Sequence, residues 1–163
     1  MVYNDLMVIP VQAKPLRVYA DTSVFGGPFD AEFARGSRAF FDELGLGRFR
    51  LVLSALTVQE LLGAPERVRA MLDAVPREHV ETHDVTEEME RLKSAYLSSG
   101  ILSPSSDADA LHVAAATVLN VDMIVSWNFK HIVHFEKIRG FNAINRLWGY
   151  KEVEIYSPLE IVA

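Results

Sequence analysis

Alternation is the feature that most constrains how this chain can fold. Five short apolar runs recur along it: "RVYAD" (17–21), "FRLVLS" (49–54), "HVETHDV" (79–85), "VDMIVSW" (121–127) and "VEIYSP" (153–158). Segments with helical spacing separate them. In "AEFARGSRAFFDELGLG" Phe33, Phe40, Phe41 and Leu44 share a face, and Gly45 or Gly47 stops the helix. Ser54 is placed to cap "ALTVQELLG", and Pro65 to start a further helix with Val68, Met71 and Leu72 on one face. Thr86 is placed to cap "TEEMERLKSAYLSSG", which carries a stripe of Met89, Leu92, Tyr96 and Leu97 and ends at Gly100. "SSDADALHVAAATVLN" (105–120) is an alanine-rich helix, and "HIVHFEKIRGFNAINRLWGY" is helical with an interruption near Gly140. "MIVSW" reads as a strand covered on both faces. Strands alternating with helices in this way predict an α/β domain: a mostly parallel central sheet between two helical layers.

The 163 residues suit one domain, expected over 16–163, with 1–15 as a loose leader in which Met7 is an alternative start. No apolar run approaches the ~20 residues of a membrane span, and the first residues lack a signal peptide's basic start and long apolar core. The absence of cysteine excludes disulfides, thiolate metal sites and a cysteine nucleophile, and fits a cytoplasmic protein. A net charge of −6 argues against indiscriminate binding to nucleic acid. Its distribution is uneven. Lys130, Lys137, Arg139, Arg146 and Lys151 meet only Glu136 between 126 and 151, with His131 and His134 among them, whereas 78–90 is acidic.

Sites in parallel α/β sheets form beyond the carboxyl ends of the strands. Asp21 ends the first strand, Glu60 follows the second, Asn128 follows "MIVSW", and Asp107 and Asp109 open the helix leading into it. Carboxylates gathered at one edge repel and need a shared cation. An all-oxygen set suits Mg²⁺ or Mn²⁺ rather than Zn²⁺. Each residue also has a local explanation. Asp21 can accept from the amides of the Thr22–Ser23 turn, Glu60 can be a surface residue, and Asp109 can close a capping box with Ser106. Asp107 suits a helix start, Asn128 a turn, and His112 a packed core.

The stretches "YADTSVFGG", "LSALTVQELLGAP", "DADALHVAAATVLNVDMIVSWNFKHI" and "VEIYSPLEIV" resemble the PIN domain, and in order and spacing the VapC-type toxins, from about residue 16 to the C-terminus. The resemblance implies an α/β/α nuclease fold with an acidic Mg²⁺ or Mn²⁺ site. Asp21, Glu60 and Asp109 match the family's carboxylates. Asn128 falls where many members carry a fourth acid, so here a neutral amide would ligate the metal or hold its water. Ser23 falls where a polar side chain borders the site. The implied activity is endoribonuclease cleavage leaving a 5′-phosphate and a 3′-hydroxyl. Lys130, Lys137, Arg139 and Arg146 are then candidates to track the RNA backbone, and Trp127 or Phe129 to stack a base. The implied partners are an antitoxin protein and a second copy of the chain. The competing reading is a PIN-like module that binds RNA or protein without cutting. A phosphatase of the haloacid-dehalogenase type is disfavoured, because the second aspartate it needs is replaced by Ser23.

Overall fold

A computed structural model describes residues 14–162. Apart from Lys14 and Pro15, the expected leader lies outside the described residues. Five strands form one sheet: β1 (Leu16–Ala20), β2 (Phe49–Ser54), β3 (Val80–His83), β4 (Met123–Val125) and β5 (Ile155–Tyr156). Their order is β3-β2-β1-β4-β5, and every pairing is parallel. Among the described residues eight α-helices flank them: α1 (Thr22–Gly26), α2 (Ala34–Gly45), α3 (Ala55–Leu62), α4 (Glu66–Asp73), α5 (Glu87–Ser98), α6 (Asp107–Val118), α7 (Phe135–Leu147) and α8 (Pro158–Ile161). No helix among the described residues is long and apolar enough to cross a membrane.

Strand periodicity divides the core in two. Val18, Ala20, Leu51, Leu53 and Val125 face one layer, where they meet Val24, Phe25, Phe40, Leu44, Leu61 and Val68. Tyr19, Val52 and Ile124 face the other, where they meet Met89, Leu92, Tyr96, Phe141 and the alanines of α6. Helix α6 is buried over Ala110–Thr117, and small side chains let it lie close to both the sheet and α5.

The chain departs from its sequence reading at several points. Helix α7 runs through Gly140 without a break. Glycine is there for proximity, since a Cβ at that position would sit 2.9 Å from Ile101 Cγ1. The stretch before it, 131–134, is loop rather than helix. Thr86 does cap α5, its hydroxyl accepting from the Met89 amide at 3.3 Å. Ser54 makes no cap contact, because its hydroxyl is engaged elsewhere. The short helices α1 and α8 were too brief for a periodic signal.

Candidate active site

The strand order reverses at β1. Successive strands β2 and β3 lie on one side of it, and β4 and β5 on the other. The crevice at such a switch point is where α/β folds place their chemistry. Ala20 pairs with Val125, so the residues that leave these two strands, Asp21 and Ser126, emerge side by side.

Asp21 is 5% exposed. It stands at the start of α1, yet its side chain makes no cap bond, so the turn explanation fails. Oδ1 accepts instead from Ser23 Oγ at 2.6 Å. Ser23 in turn accepts from the Trp127 amide at 2.9 Å and stitches the ends of β1 and β4 together. Burial pushes the Asp21 carboxyl up, and the nearby charge of Asp109 adds to this; His112 and the hydroxyls of Ser23 and Ser126 offset part of the rise. No lysine or arginine pairs with Asp21 among the described residues.

Asp109 does not close a capping box with Ser106. Its Oδ1 accepts from Asn128 Nδ2 at 3.0 Å, and its Oδ2 lies 2.7 Å from His131 Nδ1. Asn128 reaches back through Oδ1, which accepts from the His131 amide at 2.9 Å. The loop after β4 thus clamps the carboxylate at the start of α6. Glu60, at the surface of α3, lies 2.6 Å from His112 Nε2. Asp107 stays outside this arrangement, paired with Lys93 at 3.0 Å. Sequence reasoning left His112 between a packed core histidine and a residue on the face of Asp109, three positions away, and gave His131 and Ser126 no role. Only Ser126 had a local signal, as a hydroxyl at a strand end.

The donor set favours a hard cation. Asp21 is buried, feels Asp109, and has no lysine or arginine paired with it among the described residues, while every candidate carboxylate and amide offers oxygen. The arrangement is open rather than closed: no three His, Asp or Glu side chains among the described residues are grouped tightly enough to hold a metal by themselves. Asp21, Asp109, Glu60 and Asn128 each already accept at least one hydrogen bond, and an sp² oxygen keeps a second lone pair, so all four stay candidate ligands, the three carboxylates with the charge a cation needs.

The basic stretch disperses in three dimensions. Lys137 donates to the Ile101 carbonyl at 2.7 Å, and Arg146 pairs with Glu152. Arg139 stacks over Phe135 beside Glu136, in a hollow of α7 whose lining contains none of the three carboxylates. A hollow of about 560 Å³ lined by Glu87, Arg91, Leu147 and Trp148 is likewise separate from them. Lys130 is exposed two residues after Asn128. Trp127 is buried, stacked on Phe33 with ring centres 4.5 Å apart and donating to Ser37 Oγ, whereas Phe129 is 47% exposed.

A five-stranded parallel sheet in this order, with helices on both faces, is a PIN-like α/β/α fold. The chain is similar to the structure of FitAcB from Neisseria gonorrhoeae, with 17% identity and a TM-score of 0.56 over 88% of this chain and 99% of that one. It is also similar to FitAB bound to an IR36 DNA fragment, with 17% identity and a TM-score of 0.54 over 90% and 98% of the two chains. No family model and no curated protein matches the chain in sequence.

Proposed function

We propose that the protein is a metal-dependent endoribonuclease and the toxin half of a toxin–antitoxin pair. The observation that carries the reading is Asp21, a buried carboxylate at the switch point, raised by desolvation and by Asp109, with no lysine or arginine paired to it among the described residues. A buried acid of this kind is a functional-site candidate. The resemblance to VapC-type sequences and the fold shared with the FitAB complex support the pairing with an antitoxin. The solved FitAB assembly is bound to an IR36 DNA fragment.

Asp21, Asp109 and Glu60 would hold Mg²⁺ or Mn²⁺, with Asn128 and His131 fixing the Asp109 carboxylate. The bound cation supplies an activated water and stabilises charge on the phosphate. Glu60, the most exposed of the three carboxylates, is placed to orient that water. Ser23 fixes the Asp21 rotamer. Lys130 and Phe129, next to Asn128, are positioned to meet the backbone and an unstacked base of single-stranded RNA. Arg139, on α7, is a weaker candidate for this role.

The test is cleavage of a mixed pool of structured and unstructured RNAs in Mg²⁺ and in Mn²⁺, with an EDTA control. Metal-dependent cutting is expected, and Asp21→Asn should lower it by ~100-fold or more. A second reading, a binding module that does not cut, is favoured by Asp109 having both oxygens engaged. Absence of turnover in either metal, with mass spectrometry showing no co-purified inhibitor, would select it.

A further inference from the structure

Beneath the acidic edge runs a line of polar side chains that the carboxylates alone do not require. His112 Nε2 lies 2.6 Å from Glu60 Oε1, and His112 Nδ1 lies 2.8 Å from the Tyr19 hydroxyl. That hydroxyl lies 2.8 Å from Ser54 Oγ and 3.3 Å from Thr57 Oγ1. Tyr19, Ser54 and Thr57 are fully buried, and His112 is 2% exposed. Only the Glu60 end reaches solvent, with 36% of that side chain exposed.

We infer that His112 is a positioning residue that orients the Glu60 carboxylate, and that Tyr19, backed by Ser54 and Thr57, sets the His112 ring. This rests on reading the acidic edge as a cation site, and it adds to that reading a set of residues which contact no cation.

Hydrogen-bond chemistry gives the line a direction. An ionised carboxylate only accepts, so Nε2 carries a proton toward Glu60. The other nitrogen, Nδ1, bonds the Tyr19 hydroxyl in either charge state, accepting from it when the ring is neutral and donating to it when the ring is protonated, and Ser54 and Thr57 supply the hydroxyl's remaining partners. The ring is thus held by a bond at each nitrogen, the arrangement by which outer residues orient metal ligands.

Packing alone does not call for these groups. Tyr19 lies in an apolar cluster, and among the described residues its hydroxyl finds no partners beyond Ser54, Thr57 and His112. Buried polar groups cost stability unless each is satisfied, and this set is satisfied only as a whole. The four elements involved, β1, β2, α3 and α6, all reach the edge, where β4 joins them. His112 lies three residues after Asp109, on the same side of α6. Its bond to Tyr19 therefore also sets the rotation of the helix that presents Asp109.

The experiment uses the full chain and Mg²⁺ alone as probe, with affinity read by calorimetry. His112→Leu should weaken Mg²⁺ binding by ~10–100-fold, the usual effect of removing an outer residue. His112→Gln, which keeps an N–H donor toward Glu60, should recover most of this loss. Tyr19→Phe should cause a smaller loss. In a Glu60→Gln background, His112→Leu should cause no further loss. The ¹⁵N spectrum of the metal-free protein should show His112 protonated at Nε2.

Wild-type affinity in His112→Leu, an equal loss in the Glu60→Gln background, or an unprotonated Nε2 would each overturn the inference. If His112→Leu fails to fold, Tyr19→Phe, His112→Gln and the spectrum decide. RNA cleavage separates this inference from the functional proposal. A protein that binds Mg²⁺ through Glu60 and His112 but cuts nothing retains the relay and loses the nuclease. A protein that cuts RNA with its metal affinity indifferent to His112 retains the nuclease and loses the relay. A wild type that binds no Mg²⁺ overturns the inference.

Discussion

At the scale of single residues, Asp21 joins function to a stability cost. Its carboxyl is raised in the folded chain, chiefly by burial, so the native state holds that proton more tightly than the unfolded state does. By linkage, its contribution to stability is most favourable below the ordinary carboxylate pKa of ~3.9 and falls as pH rises through the raised native value. Asp21→Asn should abolish that fall. In EDTA at neutral pH the variant should melt above wild type, and the gap should close as pH falls, in thermal scans across pH. Glu81 has the opposite sign. The hydrogen bond from Arg17 lowers its carboxyl, so its stabilising contribution is present above the unfolded pKa and lost as pH falls through the native value. Asn128 donates to Asp109. Asn128→Asp replaces that donor with a like charge, so it should destabilise the protein in EDTA and tighten Mn²⁺ binding, as paired melts and calorimetry would show. Asp21 and Asp109 could be named as candidates from the sequence because strand ends and helix starts announce themselves locally, and Glu60 because it lies in the helix that follows the second strand. His131 was not, since the residue it contacts, Asp109, lies 22 positions away and is reached through a loop with no periodic signal.

Among the elements, the end of β4 is held by packing that two glycines permit. A Cβ on Gly27 would collide with Ser37 Oγ and lie 2.8 Å from Trp127 Nε1, and one on Gly36 would lie 3.0 Å from the Trp127 ring. Trp127 is thereby seated directly before Asn128. Gly27→Ala should destabilise by about 1–3 kcal/mol in urea denaturation, as overpacking does. Gly140→Ala should cost less, because its obstacle is the Ile101 side chain, which can turn, and because alanine is the better helix former by ~1 kcal/mol. Equal losses at the two sites would contradict this account. The opposite layer is tied by Tyr96, which donates to the buried Asn145 Oδ1 at 2.5 Å, while Asn145 Nδ2 donates to Thr117 at 3.4 Å. Helices α5, α6 and α7 thus share one polar junction. The helices with long stripes were readable from sequence; α1 and α8 carry too few residues for periodicity, and α8's one local signal was the Ser157–Glu160 capping pair around Pro158.

At the scale of the molecule, the sheet order decides which strand ends meet. With β1 between β2 and β4, Asp21 lies between the Glu60 side and the Asn128 side of the edge. A cation bound there by the native state alone should stabilise the whole fold by mass action, by ~2.7 kcal/mol at a concentration 100 times Kd. Thermal melts in Mg²⁺ should show this rise in wild type, and the rise should shrink in Asp21→Asn. A rise of equal size in both would remove Asp21 from the cation site.

By itself the sequence determined the class of fold, the location of the strands and main helices, and the oxygen-rich character of one edge. These follow from local periodicity and from the chemistry of residues at element ends. Only the tertiary structure decided the strand order, the pairing of Asp109 with Asn128 and His131, and the buried line from Glu60 through His112 to Tyr19. Those contacts join residues 19 to 93 positions apart. Which distant side chains meet depends on how the layers pack, and hydrophobic pattern does not encode that at any single position.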